Sequence, residues 1–447
     1  MTHFLISAPS SNSGKTTLTL GLLRALKNRG LNVQPFKCGP DYIDTKHHTI
    51  ASGNPGINLD IFMASEAHGR DIYDRYSEKA DVSVTEGVMG LFDGADKMQG
   101  SSAAIAELLD IPVILVINAK SMAYSAAPLL YGFKNFYKGI RVVGAIFNFV
   151  STASHYRFLQ EACEEVGIEA LGYLPKNEAL AIPSRHLGLH ISSETDYESI
   201  IEKLAEEIPK TINIDRLLEI STREILPKTK SKTLSQIPVS AKKYKISIAR
   251  DEAFTFTYHQ NIEVLSSLGT VTFFSPIHDK VLPETDFLYL PGGYPELYAG
   301  ELSENKTMLE SIRSYCFNGG LTFAECGGLM YLGNEIITSD GLNFPMSGVL
   351  DCITSLENSK LTLGYRTIQW NDMVLKGHEF HYSRLVENAL ETESAMVKNA
   401  KGIEVETRLY RKLNTFASYV HLYWGERFEF IEYLLENFAS KGFTQSR

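Results

Sequence analysis

The sequence predicts an α/β protein of two domains, an N-terminal parallel-sheet domain with a phosphate-binding loop and a second α/β domain behind a polar linker. Three observations lead there. Short β-branched runs alternate with amphipathic helical patterns through the first half of the chain. A Gly-Lys-Thr tripeptide stands at the first strand-to-helix junction. The alternation then resumes after "PKTKSKTLSQIPVSAKKY" at 227–244, a stretch rich in Lys, Ser and Thr with few apolar anchors. Alternation of this kind is the pattern of a parallel sheet covered by helices on both faces.

In order, "FLISA" (4–8), "VQPF" (33–36), "VSVT" (82–85), "PVILVIN" (112–118) and "VVGAIFN" (142–148) read as buried strands. Helical patterns fill Thr16–Arg29, Ala103–Leu109, Ser125–Tyr137 and His155–Val166 between them. The pattern degrades from Pro209, so the expected division is 1–208 for the first domain, 209–244 for the linker and 245–447 for the second domain. There "KISIA" (245–249), "VTFFS" (271–275), "FLYL" (287–290) and "LTFA" (321–324) read as strands, with helices at Tyr258–Leu268 and Lys306–Phe317.

Size and composition narrow the function. A chain of 447 residues is long for one core, and 44% hydrophobic with 21% charged residues is ordinary for a soluble globular protein. The net charge of −10 argues against nucleic-acid partners and against attraction to an acidic membrane surface. No apolar run reaches membrane-spanning length. Five scattered cysteines without a C-x-x-C pair suggest neither a disulfide framework nor a zinc site, and "MTHFLISAPSS" lacks a secretory signal pattern. The expectation is a cytoplasmic protein.

"APSSNSGKTTLTLGLLRAL" follows a strand and runs into a helix. In such a loop Ser11, Asn12, Ser13, Gly14 and Thr17 line the phosphates through backbone and side-chain donors. Lys15 neutralises phosphate oxygens and the Thr16 hydroxyl can ligate Mg²⁺. The first glycine of the usual pattern is Pro9. Two further loops follow strands: "FKCGPDYIDTKHH" (36–48) holds Lys37 and two histidines around a Gly-Pro turn and offers Asp41, Tyr42 and Asp44, and "TEGVMGLFDG" (85–94) offers Glu86 and Asp93. Loops after the C-terminal ends of parallel strands converge on the ligand crevice. These groups are candidates for substrate and phosphoryl-transfer contacts, with Thr16, Asp41 and Glu86 as metal ligands for Mg²⁺ bound with ATP. Helix capping by Asp41 and Asp44 is the structural alternative. His48, at the end of "GPDYID", is a further residue of interest.

In the second domain, "FAECGGLMYL" places Cys326 at a sharp corner between strand and helix. Such an elbow exposes a thiol and aims a helix N-terminus at it, favouring the thiolate. Gly292 and Gly293 in "LYLPGGYPELY" supply backbone N–H groups for an oxyanion, and His421 in "FASYVHLYWGE" supplies a base. Cys316 reads as structural, and Cys163 and Cys352 carry no motif.

The order GKT, "FKCGPDYID", "NLD" (58–60), "EGVMGLFDG", "GSSAAIAELL" (100–109) and "PSRHLGLH" (183–190) resembles the cobyrinic acid a,c-diamide synthase family. The second domain is similar to a class I glutamine amidotransferase, with further likeness in "DEAFTFTYHQNIEVL" (251–265) and "GHEFHYS" (377–383). The resemblance implies amidation of two corrin acetate carboxylates through acyl phosphates. ATP, L-glutamine and a tetrapyrrole carboxylate would be the partners, with Mg²⁺ as cofactor. Cys326 would attack the glutamine amide and His421 would shuttle its proton, releasing ammonia. The class usually has Glu two residues after this His, where Tyr423 stands, leaving Glu426 as a candidate. The same residues fit a nickel-sirohydrochlorin a,c-diamide synthase. A different class, a P-loop partitioning or assembly ATPase with an inactive amidotransferase domain, would require an inert Cys326. Monomer and homodimer both remain open.

Overall fold

Residues Thr2–Ser7 form β1, the strand on which the first sheet is built. The computed structural model describes residues 2–177, 196–222 and 243–439 and divides into two units. After β1 come α1 (Lys15–Asn28), β2 (Val33–Cys38), α2 (Tyr42–Ser52), β3 (Ile57–Leu59), α3 (Glu66–Ser77) and β4 (Val82–Glu86). Then follow α4 (Ser102–Leu109), β5 (Val113–Asn118), α5 (Ala126–Asn135), β6 (Val142–Val150), α6 (Ala153–Val166), β7 (Glu169–Pro175), α7 (Tyr197–Thr211) and α8 (Ile214–Ser221). The seven strands pair in the order β3-β2-β4-β1-β5-β6-β7, all parallel.

Both faces of this sheet are buried, which is why its strands read as nearly continuous apolar runs. Phe4 and Ile6 join one core cluster and Leu5 the other; Ile114 and Val116 alternate with Leu115 and Ile117 in the same way. Asp41, Ser65, Ser101 and Thr152 each cap a helix by accepting first-turn backbone N–H groups. The strand order switches direction at β1, so the loops after β1, β2 and β4 gather at one edge, where open α/β sheets bind ligands.

The linker expected over 209–244 begins differently. Residues 209–221 complete α7 and form α8, and Ile208, Ile212, Ile214 and Leu217 are buried in the core beside Leu20 and Ile146. Their helical spacing was masked in the sequence by Pro209, which sits in the last turn of α7. The remainder of that stretch, 223–242, and the "PSRHLGLH" segment lie outside the described residues.

The second unit opens with β8 (Tyr244–Ala249), α9 (His259–Leu268), β9 (Gly269–Phe274), β10 (Phe287–Leu290), α10 (Ala299–Glu304), α11 (Lys306–Phe317), β11 (Leu321–Glu325) and α12 (Gly327–Leu332). Short strands follow: β12 (Glu335–Ile337), β13 (Asn343–Pro345), β14 (Cys352–Ser355), β15 (Thr362–Trp370), β16 (Met373–His381), β17 (Arg384–Asn388) and β18 (Ala395–Asn399). The unit ends with β19 (Tyr410–Lys412), β20 (Thr415–Ser418), β21 (His421–Leu422) and α13 (Glu429–Phe438). The main sheet runs β19-β20-β11-β10-β8-β9, parallel except for edge strand β19. Two four-stranded sheets, β13-β12-β14-β17 and β18-β15-β16-β21, flank it, and antiparallel pairing dominates both. Among the described residues no helix is long and apolar enough to cross a membrane.

Candidate functional site

In the first unit the phosphate loop runs from Ala8 to Gly14 between β1 and α1. Asn12 and Gly14 both adopt left-handed backbone, with φ of 61° and 92°. That conformation turns successive N–H groups toward one concavity ahead of the helix N-terminus. A side chain at Gly14 would run into Asn148 of β6, whose amide donates to the Ser13 carbonyl at 3.1 Å. Ser13 is buried, whereas Ser11 and Asn12 lie at the exposed crest and Thr17 in the first turn of α1. The segment after β4 threads back along the loop, with Gly87 N–H donating to Ile6 O and Leu91 N–H to Ala8 O, both at 2.8 Å.

Below the loop lies a buried charge cluster. Lys15 Nζ donates to the carbonyls of Met89 at 2.6 Å and Ser10 at 3.2 Å. Thr16 Oγ1 donates to Glu86 Oε1 at 2.8 Å. Lys37 Nζ reaches Asp44 Oδ2 at 2.7 Å and Glu86 Oε1 at 2.9 Å, and His48 Nε2 meets Glu86 Oε2 at 2.7 Å. Burial and the neighbouring Lys37 ammonium bring the Lys15 ammonium down to about 8. Burial would also lower Lys37, but Asp44, Glu86 and Asp41 outweigh it and hold it above its ordinary value. Burial would raise the Glu86 carboxyl, yet Lys37 and His48 hold it well below the usual range.

Of the residues singled out from the sequence, Thr16 and His48 thus meet Glu86 directly, Asp44 joins them through Lys37, and Lys15 lies in the same charge cluster. Asp41 commits Oδ1 to the N–H groups of Ile43 and Asp44 at 3.0 Å as the cap of α2, and Tyr42 is the buried first residue of that helix. Asp93 Oδ2 accepts the Gly90 N–H at 3.0 Å and closes its own loop. Among the described residues no three His, Cys, Asp or Glu side chains are arranged to hold a metal by themselves. The Thr16 hydroxyl beside the Glu86 carboxylate is nonetheless a donor set that fits Mg²⁺, which is held by few protein oxygens together with phosphates and water. Asn148 is a contributor sequence reasoning missed, whereas Lys37 belongs to the "FKCGPDYIDTKHH" stretch singled out from the sequence, and β2 carries it into the site.

In the second unit Cys326 sits between β11 and α12 at φ 46° and ψ −100°, a strained conformation for a residue with a side chain. Its N–H donates to Ser418 O at 2.8 Å, tying the elbow to the end of β20. Close packing explains the glycines around it. A side chain on Gly328 would strike the Leu290 backbone, and one on Gly327 would reach Pro295 at 2.8 Å and the Gly293 nitrogen at 3.1 Å. Gly292 lies directly against the His421 imidazole. Cys326, His421 and the Gly292-Gly293 pair therefore collect at the C-terminal edge of adjoining strands.

The electrostatics correct one expectation. Burial, then the Glu296, Glu379 and Glu325 carboxylates, push the Cys326 thiol well above its ordinary value, outweighing the Gly327 N–H at the start of the six-residue α12. Burial, with His378 and His381, pushes His421 well below its own. At neutral pH the pair rests as thiol and neutral imidazole, and substrate must drive the proton transfer. The other thiols differ in position: Cys38 ends β2, Cys163 and Cys316 lie inside helices, and Cys352 opens β14. Burial raises Cys38 to about 12, and Cys316 packs with Thr322 at 3.3 Å. His381 stacks on Tyr419 with ring centres 3.9 Å apart, contacts the Ser383 carbonyl at 2.8 Å and lies 3.7 Å from Glu379 Oε1.

A phosphate loop on one unit and a cysteine elbow with a buried histidine on the other define an ATP-type nucleotide-binding glutamine amidotransferase. Residues 4–189 match the family model of the CobQ/CobB/MinD/ParA nucleotide binding domain, and 245–428 that of the CobB/CobQ-like glutamine amidotransferase domain. The chain is 38% identical to the cobyrinate a,c-diamide synthase of Listeria monocytogenes, across 97% of this chain and 99% of that protein. It is 39% identical to the enzyme of the same name from Caldanaerobacter subterraneus, across 94% of each. It is also 39% identical to the hydrogenobyrinate a,c-diamide synthase of Brucella anthropi, across 96% of this chain and all of that protein. The chain belongs to the cobyrinate a,c-diamide synthase family.

Proposed function

We propose that this protein uses ATP and glutamine to convert the a- and c-acetate carboxylates of cobyrinic acid to amides, a step of cobalamin synthesis. The observation that carries the reading is the match to relatives of that name over nearly the whole of both chains. In the second unit the Cys326 sulfur would attack the glutamine side-chain carbonyl, its proton passing to His421. The Gly292 and Gly293 N–H groups would face the oxyanion. His421 would return the proton to the departing ammonia, leaving a γ-glutamyl thioester that water hydrolyses to glutamate.

In the first unit the loop from Ser11 to Thr17 would grip the ATP phosphates while the substrate carboxylate takes the γ-phosphoryl group. Ammonia would then displace phosphate from the acyl phosphate to give the amide. Lys15 would offset charge on the transferring group, and Lys37, locked to Asp44 and Glu86, would keep the cluster charged although buried. Thr16 and Glu86 would hold Mg²⁺, which supplies electrostatic stabilisation of the phosphoryl group when bound. Asp41, Tyr42 and Asp93 would shape the neighbouring substrate loops. A cytoplasmic setting, where ATP and glutamine are abundant, agrees with five cysteines that form no disulfide.

The Brucella relative favours a second substrate, the metal-free hydrogenobyrinic acid, for the same chemistry. Mass spectrometry of reactions supplied with cobyrinic acid, hydrogenobyrinic acid or nickel-sirohydrochlorin separates them. Two amides on cobyrinic acid are expected. Turnover confined to nickel-sirohydrochlorin would overturn the reading.

A further inference from the structure

We propose that Glu325, the residue immediately before the nucleophile, is the positioning acid of His421, in place of the residue two positions after that histidine. The proposal rests on the amidotransferase reading above and adds the residue which that reading lacks. Glu325 ends β11 with its side chain buried, and its Oε2 lies 4.0 Å from His421 Nδ1. Its Oε1 accepts the N–H of Leu422 at 2.9 Å, and Oε2 accepts the Tyr289 hydroxyl of β10 at 2.8 Å. One carboxyl group thus grips the backbone beside His421 and faces its imidazole. Tyr423, at the position where an acid is expected, packs edge-on against Tyr258 with ring centres 5.4 Å apart.

The other titratable groups around the pair have different geometry. His378 of β16 stacks on His421 with ring centres 5.2 Å apart and planes 25° apart, and a stacked ring offers Nδ1 no in-plane acceptor. His381, also on β16, raises the cost of charging His421, as does burial. Cys326 follows Glu325 in the chain and is the proton source. A separation of 4.0 Å is longer than a hydrogen bond, and such contacts in substrate-free sites tighten in the reactive complex. When His421 takes the thiol proton at its other nitrogen, an imidazolium forms in a site with two further histidines nearby. A carboxylate at Nδ1 fixes the tautomer and offsets that charge.

Burial raises the Glu325 carboxyl to about 8, against the Leu422 N–H and the Tyr289 hydroxyl, which favour ionisation. Glutamine hydrolysis should therefore rise with pH as Glu325 ionises. The test uses the full-length protein, with ammonium-dependent amidation as the control for folding and for the ligase half. Glu325→Gln keeps an acceptor for Leu422 but removes the charge. It is expected to lower glutaminase kcat by about 10²–10⁴-fold, with KM within about threefold and the rising pH limb abolished. Tyr289→Phe removes a group favouring the ionised form, so its rising limb should move to higher pH. Wild-type kcat and pH limb in Glu325→Gln would overturn the proposal. If that variant does not fold, an unmoved limb in Tyr289→Phe would overturn it. Failure of the underlying reading is distinct: Cys326→Ala would then still use glutamine.

Discussion

Gly292 has no side chain because the imidazole of His421 occupies the space one would need. Gly292→Ala is predicted to displace that ring and reduce glutaminase activity by about 10²-fold or more, with ammonium-dependent amidation retained. Steady-state assays with the two nitrogen donors read this directly. At the phosphate loop the prediction concerns pH. The Lys15 ammonium, brought down to about 8 by burial and Lys37, is charged below that pH and neutral above it. Nucleotide phosphates favour the charged form, so affinity should fall as pH rises through about 8, approaching about tenfold per pH unit. Calorimetric titration should also show proton uptake on binding near that pH, and Lys15→Met should flatten both effects. At this scale the sequence was informative wherever chemistry follows local spacing. Cys326 and Lys15 announce themselves by the glycines beside them. Glu325 does not, because its partners Tyr289, His421 and Leu422 lie on strands far away in sequence.

Among the elements, α2 joins a structural and a functional role. Its cap, Asp41, accepts two first-turn N–H groups, and its body carries Asp44 and His48 to Lys37 and Glu86. Asp41→Ala should cost about 1 kcal/mol of stability, and Asp41→Asn should restore most of it; thermal unfolding measures both. Lys37→Met should cost more, about 3–5 kcal/mol, because it leaves Glu86 and Asp44 buried with less countercharge. The helix entered the sequence reading only as the alternative in which Asp41 and Asp44 cap it, since its polar face is buried against charges and gives a weak amphipathic pattern, and Asp41 is indeed its cap. The strands of the two flanking sheets escaped for another reason. Several are three to five residues long and partly exposed, so alternation has no room to register. The nine-residue strands β15 and β16 were not read from the sequence either, although their turn holds Asn371 at φ 49°, a residue type that tolerates left-handed backbone.

At the scale of the whole molecule, two α/β units divide one reaction. One is built to release ammonia from glutamine and the other to activate a carboxylate with ATP. The parallel sheets of both were legible because strands buried on two faces leave long apolar runs. The start of the linker was not, because a proline in the last turn of α7 looks like a helix breaker and is tolerated there. The division of labour makes a sharp prediction, since the elbow cysteine serves only one nitrogen source. The measurement that tests it most directly is an amide count by mass spectrometry on Cys326→Ala with ATP, Mg²⁺ and cobyrinic acid, supplied with either glutamine or ammonium. The account predicts two amides from ammonium at near wild-type rate, and glutamine use reduced by at least about 10³-fold. Amidation from glutamine at the wild-type rate would contradict it.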